Sequence, residues 1–121
     1  MSGAILTVDD SVSIRQAIKL TLSGAGFKVE EAENGAEGLK KAEAGDFRLI
    51  LTDLNMPVMN GLDMIQEIRR RGILVGVPIV FLSTESDAEF KAQAKAAGAT
   101  GWLTKPFLPD QLLRIVTKVL G

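Results

Sequence analysis

"LILTDLNMP", residues 49–57, reads as a strand buried on both faces that ends on an acid. Three of its first four residues are large aliphatics with no polar alternation, the pattern of a strand inside a parallel sheet. Asp53 follows directly, and Pro57 closes the stretch four residues later. A charged group at the tip of the most apolar strand is costly unless something there uses it.

Working outward, short apolar runs alternate with longer segments of helical period. "AILTV" (4–8) reads as a strand, and Ile14, Ile18, Leu22 and Ala25 place a helix from Val12 to the Gly24–Gly26 region. "FKVEEA" (27–32) alternates, as a strand at a sheet edge does. "NGAEGLKKAEAG" (34–45) gives a turn and a weak helix through Ala36, Leu39 and Ala42. Asn60-Gly61 starts a helix through Leu62, Ile65 and Ile68, and Pro78 opens the buried strand "IVFLS" (79–83). Ser86 or Asp87 caps a fourth helix carrying Phe90, Ala94 and Ala97, with Gly98 as its stop. "TGWLT" (100–104) is a fifth strand, and Pro109 suits the first turn of a last helix through Leu112, Leu113, Val116, Val119 and Leu120. Five β-α alternations imply an α/β fold, a five-stranded parallel sheet with helices on both faces, in one domain over residues 1–121.

Composition narrows the chemistry. With 46% hydrophobic and 24% charged residues the chain has the make-up of a soluble globular domain. Its net charge of −1 gives no general attraction to nucleic acid or membrane. There is no cysteine and no histidine, which removes thiolate chemistry, the usual general base and the usual transition-metal ligands. The opening "MSGAILTVDD" has no basic region and too short an apolar run for a signal peptide, so the expected location is cytoplasmic. Whatever this chain does rests on carboxylates, hydroxyls and amines.

In such folds ligands bind at the carboxyl ends of the strands. Asp9 and Asp10 follow the first strand, Asp53 and Asn55 the third, Ser83, Thr84 and Glu85 the fourth, and Lys105-Pro106 the fifth. Two unit charges about 4 Å apart cost roughly 4 kcal/mol at an effective dielectric near 20, so gathered carboxylates call for a counter-ion or a raised pKa. A hard divalent cation such as Mg2+ suits oxygen donors and keeps waters free for exchange. Beside a lysine and a hydroxyl, that is a place for a phosphoryl group, with an Asp carboxylate as nucleophile. Singly, each of these residues has a plainer use: Asp9-Asp10 as helix caps, Lys105 as a solvated lysine. Their convergence through the fold favours chemistry. "RRR" (69–71) sits at a helix end where the dipole favours cations, and the methionines read as packing residues.

"VDDS" (8–11), "TDLNMPVMNG" (52–61), "PIVFLSTES" (78–86) and "GWLTKPF" (101–107), in this order and at these separations, resemble a response-regulator receiver domain over nearly the whole chain. Within that family the chain is similar to the single-domain, CheY-like chemotaxis regulators. The resemblance implies a flavodoxin-like (βα)5 fold with strand order 2-1-3-4-5. It implies Asp53 as phosphoacceptor, fed by the phosphohistidine of a histidine kinase of the CheA type. Mg2+ would be held by Asp10, Asp53 and the backbone carbonyl of Asn55, with Asp9 acting mainly through a bound water. Lys105 would pair with the phosphoryl group across a cis Lys105-Pro106 bond. Ser83 and Trp102 take the places of the family's switch hydroxyl and switch aromatic, and Asn55 and Glu85 those that tune self-dephosphorylation. That last pair implies an acyl phosphate lasting seconds to minutes.

The chain departs from the family pattern at Trp102, bulkier than the usual Tyr or Phe, and at "ESDAEF" (85–90), acidic where enteric chemotaxis regulators carry lysines. The expected output is a changed face of the fourth helix, fifth strand and fifth helix that binds a target protein. That target is the flagellar motor switch or, in the alternative, a phosphorelay or phosphate-sink partner. The chain is expected to act as a monomer without other enzyme activity. A haloacid-dehalogenase-like phosphatase would need a second Asp where Asn55 stands, and a flavin carrier would meet two negative charges at "VDDSVS" (8–13).

Overall fold

The computed structural model describes residues 3–84 and 88–121. Ten elements alternate: β1 (Ala4–Val8), α1 (Val12–Gly24), β2 (Val29–Ala32), α2 (Gly35–Ala44), β3 (Phe47–Asp53), α3 (Gly61–Arg70), β4 (Ile79–Ser83), α4 (Ala88–Ala96), β5 (Gly101–Thr104) and α5 (Pro109–Leu120). The strands form one parallel sheet in the order β2-β1-β3-β4-β5. This is the order expected of the resemblance.

The sheet separates two apolar layers, as the double-sided burial of its central strands requires. Ile5, Leu49, Leu51, Val80 and Leu82 pack with Ile18 and Leu22 of α1 and Leu112 and Val116 of α5. Leu6, Val8, Ile50, Ile79 and Phe81 pack with α2, with Met64, Ile65 and Ile68 of α3, and with Ala94 of α4. Every residue of β1 and β4 is buried, whereas on the edge strand β2 only Ala32 is buried.

Side chains cap three helices at the ends nearest the site. Ser11 Oγ accepts from Ile14 N–H, Asn34 Oδ1 from Glu37 N–H, and Asn60 Oδ1 from Asp63 N–H. At α5, Pro109 occupies the first turn and Gln111 Oε1 accepts from Leu108 N–H. The expected cap of α4 at Ser86 or Asp87 lies outside the described residues.

Two helix readings need correction. In α2 the buried positions are Gly35, Gly38, Leu39 and Ala42, while Ala36 is exposed. A Cβ on Gly35 would lie 2.4 Å from the Met59 carbonyl oxygen, and one on Gly38 would lie 2.6 Å from Met64 Sδ. The helix turns its glycines inward because only they allow so close an approach. Ala25 likewise leaves the apolar stripe of α1: it is the exposed C-cap, and Phe27 packs on the core instead.

Candidate functional site

The acids expected at the rim meet there. One carboxylate oxygen from each of Asp9, Asp10 and Asp53 lies within 4.8 Å of the other two. Because Ser11 caps α1, the preceding acids are released from capping. Asp9 is fully buried, and its Oδ1 accepts from Ser11 N–H at 2.9 Å. Its Oδ2 accepts from Lys105 Nζ at 2.7 Å. Asp10, next in the chain, is exposed.

Asp53 sits at the tip of β3, 9% exposed. Its Oδ1 accepts from Leu54 N–H at 2.9 Å and lies 3.3 Å from Lys105 Nζ. The Asp53 carboxyl is held above the usual range, chiefly by burial and then by the charge of Asp9; Lys105 and the Leu54 N–H pull the other way and only partly offset this. The site is therefore short of positive charge: among the described residues one ammonium, Lys105, pairs with two of the three gathered carboxylates.

The backbone behind Asp53 has no slack. Gly61 N–H donates to the Leu54 carbonyl, and a Cβ on Gly61 would lie 2.1 Å from the Asp53 carbonyl oxygen. Gly35 N–H holds the same loop through the Met59 carbonyl at 2.9 Å. Between them Val58 takes φ +71°, unusual for a β-branched residue, and is largely exposed. Asn55 is exposed at the start of this loop.

On the far side, Lys105 N–H donates to the Ser83 carbonyl at 2.8 Å, which ties the lysine backbone to the end of β4. The Lys105-Pro106 bond is cis, as expected. Ser83 is buried. Register pairs Phe81 with Trp102 and Ser83 with Thr104, so strand alternation puts Ser83 and Trp102 on the same sheet face. The Trp102 ring is half-buried, its centroid 6.1 Å from that of Phe81. Its Nε1 is buried and has no hydrogen-bond partner among the described residues. A groove of about 300 Å³ runs beside it, lined by Lys91, Ala94, Lys95 and Thr100 among others. Glu85, expected to tune dephosphorylation, lies outside the described residues.

One residue at the site escaped sequence reasoning. Arg15 of α1 donates through Nη1 to the Asp9 carbonyl and through Nε to Glu31 Oε1 at 3.2 Å. Its signal was a cation in the first helical turn, where the dipole disfavours one.

Carboxylates as the acidic donors, with no histidine or cysteine in the chain, are a donor set that suits a hard divalent cation. Among the described residues no helix is long and apolar enough to cross a membrane.

Comparison with known proteins agrees with this geometry. The response regulator receiver domain model matches residues 5–117. The chemotaxis protein CheY1 of Helicobacter pylori is 40% identical over 119 residues, covering 97% of this chain and 96% of that protein. The structure of the Vibrio cholerae chemotaxis protein CheY4 superposes with a TM-score of 0.93 at 44% identity, over 98% of this chain and 99% of that one. A CheY-like receiver domain protein from Methanospirillum hungatei gives 0.92 at 29% identity, covering 99% and 94%.

Proposed function

From the premise that the chain belongs to the response regulator receiver domain family, we propose that it is a chemotaxis-type switch that carries a phosphoryl group on Asp53. The observation that carries this reading is the rim itself: three acids within 4.8 Å of one another and a single lysine bridging two of them. The chemotaxis assignment draws on the names of the relatives in Helicobacter pylori and Vibrio cholerae.

Asp53 Oδ1 is held by Leu54 N–H and faces Lys105, which leaves Oδ2 as the nucleophile. In the forward step Oδ2 attacks phosphorus, an O–P bond forms, and the N–P bond of the donor phosphohistidine breaks with its electron pair on the imidazole nitrogen. In the hydrolytic step water attacks the same phosphorus, the O–P bond to Asp53 breaks with its electron pair on the carboxylate oxygen, and inorganic phosphate leaves carrying the protons of the water. Lys105 supplies positive charge to the phosphoryl oxygens, releasing part of its hold on Asp9 and Asp53. Asp9, Asp10, Asp53 and the Asn55 carbonyl would hold Mg2+, which neutralises charge on the transferring group when bound. Asn55 and Glu85 are assigned to the self-dephosphorylation step.

The phosphoryl group then draws the Ser83 hydroxyl toward it, and the space this vacates biases Trp102 on the same sheet face. The surface of α4, β5 and α5 is thereby altered for a target protein, the motor switch in a motile cell. The donor is a cytoplasmic histidine kinase, and the chain turns over no other substrate. The test is incubation with acetyl phosphate and Mg2+, read as the mass of the intact protein. One added phosphoryl group is expected, absent in Asp53→Asn. A wild-type protein that gains no mass, or an Asp53→Asn variant that gains as much, would overturn the reading.

A further inference from the structure

Arg15 is the fourth residue of α1, at the close of its first turn. Its side chain is only 13% exposed. A guanidinium so enclosed needs partners, and among the described residues it has two, one in the β1–α1 turn and one on β2. Nη1 donates to the Asp9 carbonyl and Nε to Glu31 Oε1 of β2. Glu31 is itself held: Lys19 Nζ lies 3.6 Å from its other oxygen, and Lys41 Nζ donates to its carbonyl.

The Asp9 carbonyl belongs to the peptide that joins Asp9 to Asp10. The Asp9 side chain has its own fixings, Ser11 N–H and Lys105. Asp10 is exposed, so its placement relative to Asp9 and Asp53 depends on how that peptide is turned. We propose that Arg15 is a positioning residue for the acidic rim: its planar fork, anchored on Glu31, fixes the Asp9–Asp10 peptide and so sets where the Asp10 carboxylate stands. The fork matters as much as the charge, because Nε and Nη1 serve different partners and a lysine offers one point of charge for both. The link also ties the β2 edge strand to the metal-facing acids. The role of Asp10 toward a cation rests on the function proposed above; the hold on the peptide does not.

The experiment pairs calorimetric Mg2+ titration with amide hydrogen exchange at Ser11, whose N–H is bonded to Asp9 Oδ1. Arg15→Met keeps the apolar stem and removes the fork; its Mg2+ affinity should fall about tenfold, the size seen when groups behind metal ligands are removed. Arg15→Lys should fall nearly as far, Glu31→Gln by about threefold, and Lys19→Ala not at all, since Lys19 pairs with the Glu31 oxygen that Arg15 does not use. Ser11 exchange should quicken in the Arg15 and Glu31 variants while core strand amides keep their protection. Should Arg15→Met fail to fold, Arg15→Lys and Glu31→Gln carry the same comparison. Wild-type affinity with unchanged Ser11 exchange would overturn the proposal, as would exchange that quickens evenly along the whole chain. If the wild-type protein takes up no Mg2+, the metal reading of the rim fails; Ser11 exchange then decides for or against the positioning role.

Discussion

Two charge clusters stand at opposite ends of the sheet and behave in opposite ways. At the helix C-terminal end, Arg71 pairs with Glu43 of α2 and with Glu67 of α3, and Arg70 pairs with Glu67. Two acids meet two bases, all reached by solvent, and the arginines hold the Glu67 carboxyl below its usual range through their hydrogen bonds. At the other end three acids gather, two of them buried; among the described residues only Lys105 pairs with their carboxylates, and the Asp53 carboxyl is pushed up. The first cluster is complete within the chain. The second is short of positive charge and held rigidly short of it by strand tips that cannot move apart. A surface salt-bridge network needs no partner, whereas an unbalanced buried one is poised to take a cation and release it.

The sharpest way to break this contrast is Lys105→Ala. It removes the only cation that pairs with the Asp9 and Asp53 carboxylates among the described residues, and Asp9 is then a buried carboxylate stripped of its paired charge. Losing one partner of such a pair costs about 3 kcal/mol. Phosphorylation by acetyl phosphate should slow by about a hundredfold, the size seen when one charge-stabilising donor is removed. Urea unfolding and intact mass over time read the two effects. Unchanged stability and rate would make the two clusters equivalent.

A smaller effect of opposite sign is expected for Asp53→Asn. A carboxyl whose folded pKa is raised binds its proton more tightly in the folded state. Wild-type stability therefore falls as pH rises from the ordinary value of 3.8 through the raised one. The Asn variant has no such loss, so it should be the more stable protein at neutral pH, and the gain should vanish in acid. A melting temperature higher by about 4 °C at pH 7, roughly 1 kcal/mol for a chain of this size, is the expected reading. A variant less stable than wild type at pH 7 would mean that Lys105 outweighs burial and Asp9.

These two residues were legible in the sequence because each ends an apolar run, and topology alone carries strand ends to one rim. β1, β3 and β4 were equally plain: their side chains are buried on both faces, so the pattern reads without knowing the neighbours. Ala36 misled because spacing from Leu39 and Ala42 cannot reveal that Gly35 and Gly38 take the inner face to let Met59 and Met64 approach. Arg15 was missed for a different reason. Its partners come from the turn before its helix and from β2, and no periodicity predicts a hydrogen bond to a carbonyl. The "RRR" run was read as three cations on one helix dipole. Instead Arg69 bonds the Val77 and Gly98 carbonyls while Arg70 and Arg71 form ion pairs, a division of labour set by the helices packed around them.

The smallest effect belongs to Arg71→Ala, and its smallness is what the comparison requires. Glu67 has a folded pKa below its ordinary value of 4.5, so its contribution is present above that value and is lost as pH falls through the depressed one. Removing Arg71 takes away one of the three hydrogen bonds that Glu67 accepts from the arginines, and leaves the two from Arg70. The variant should therefore show a shallower loss of stability on the acid side, and a difference from wild type at pH 7 that fades as salt is added. Its rate of phosphorylation should equal that of wild type, because no residue of this network bonds to the rim acids. A slowed rate in Arg71→Ala would mean that the two ends of the sheet communicate through α3, whose first residue packs against the Asp53 carbonyl. Equal rates would leave Asp53 insulated from the charges at the far end, as a rigid strand tip should be.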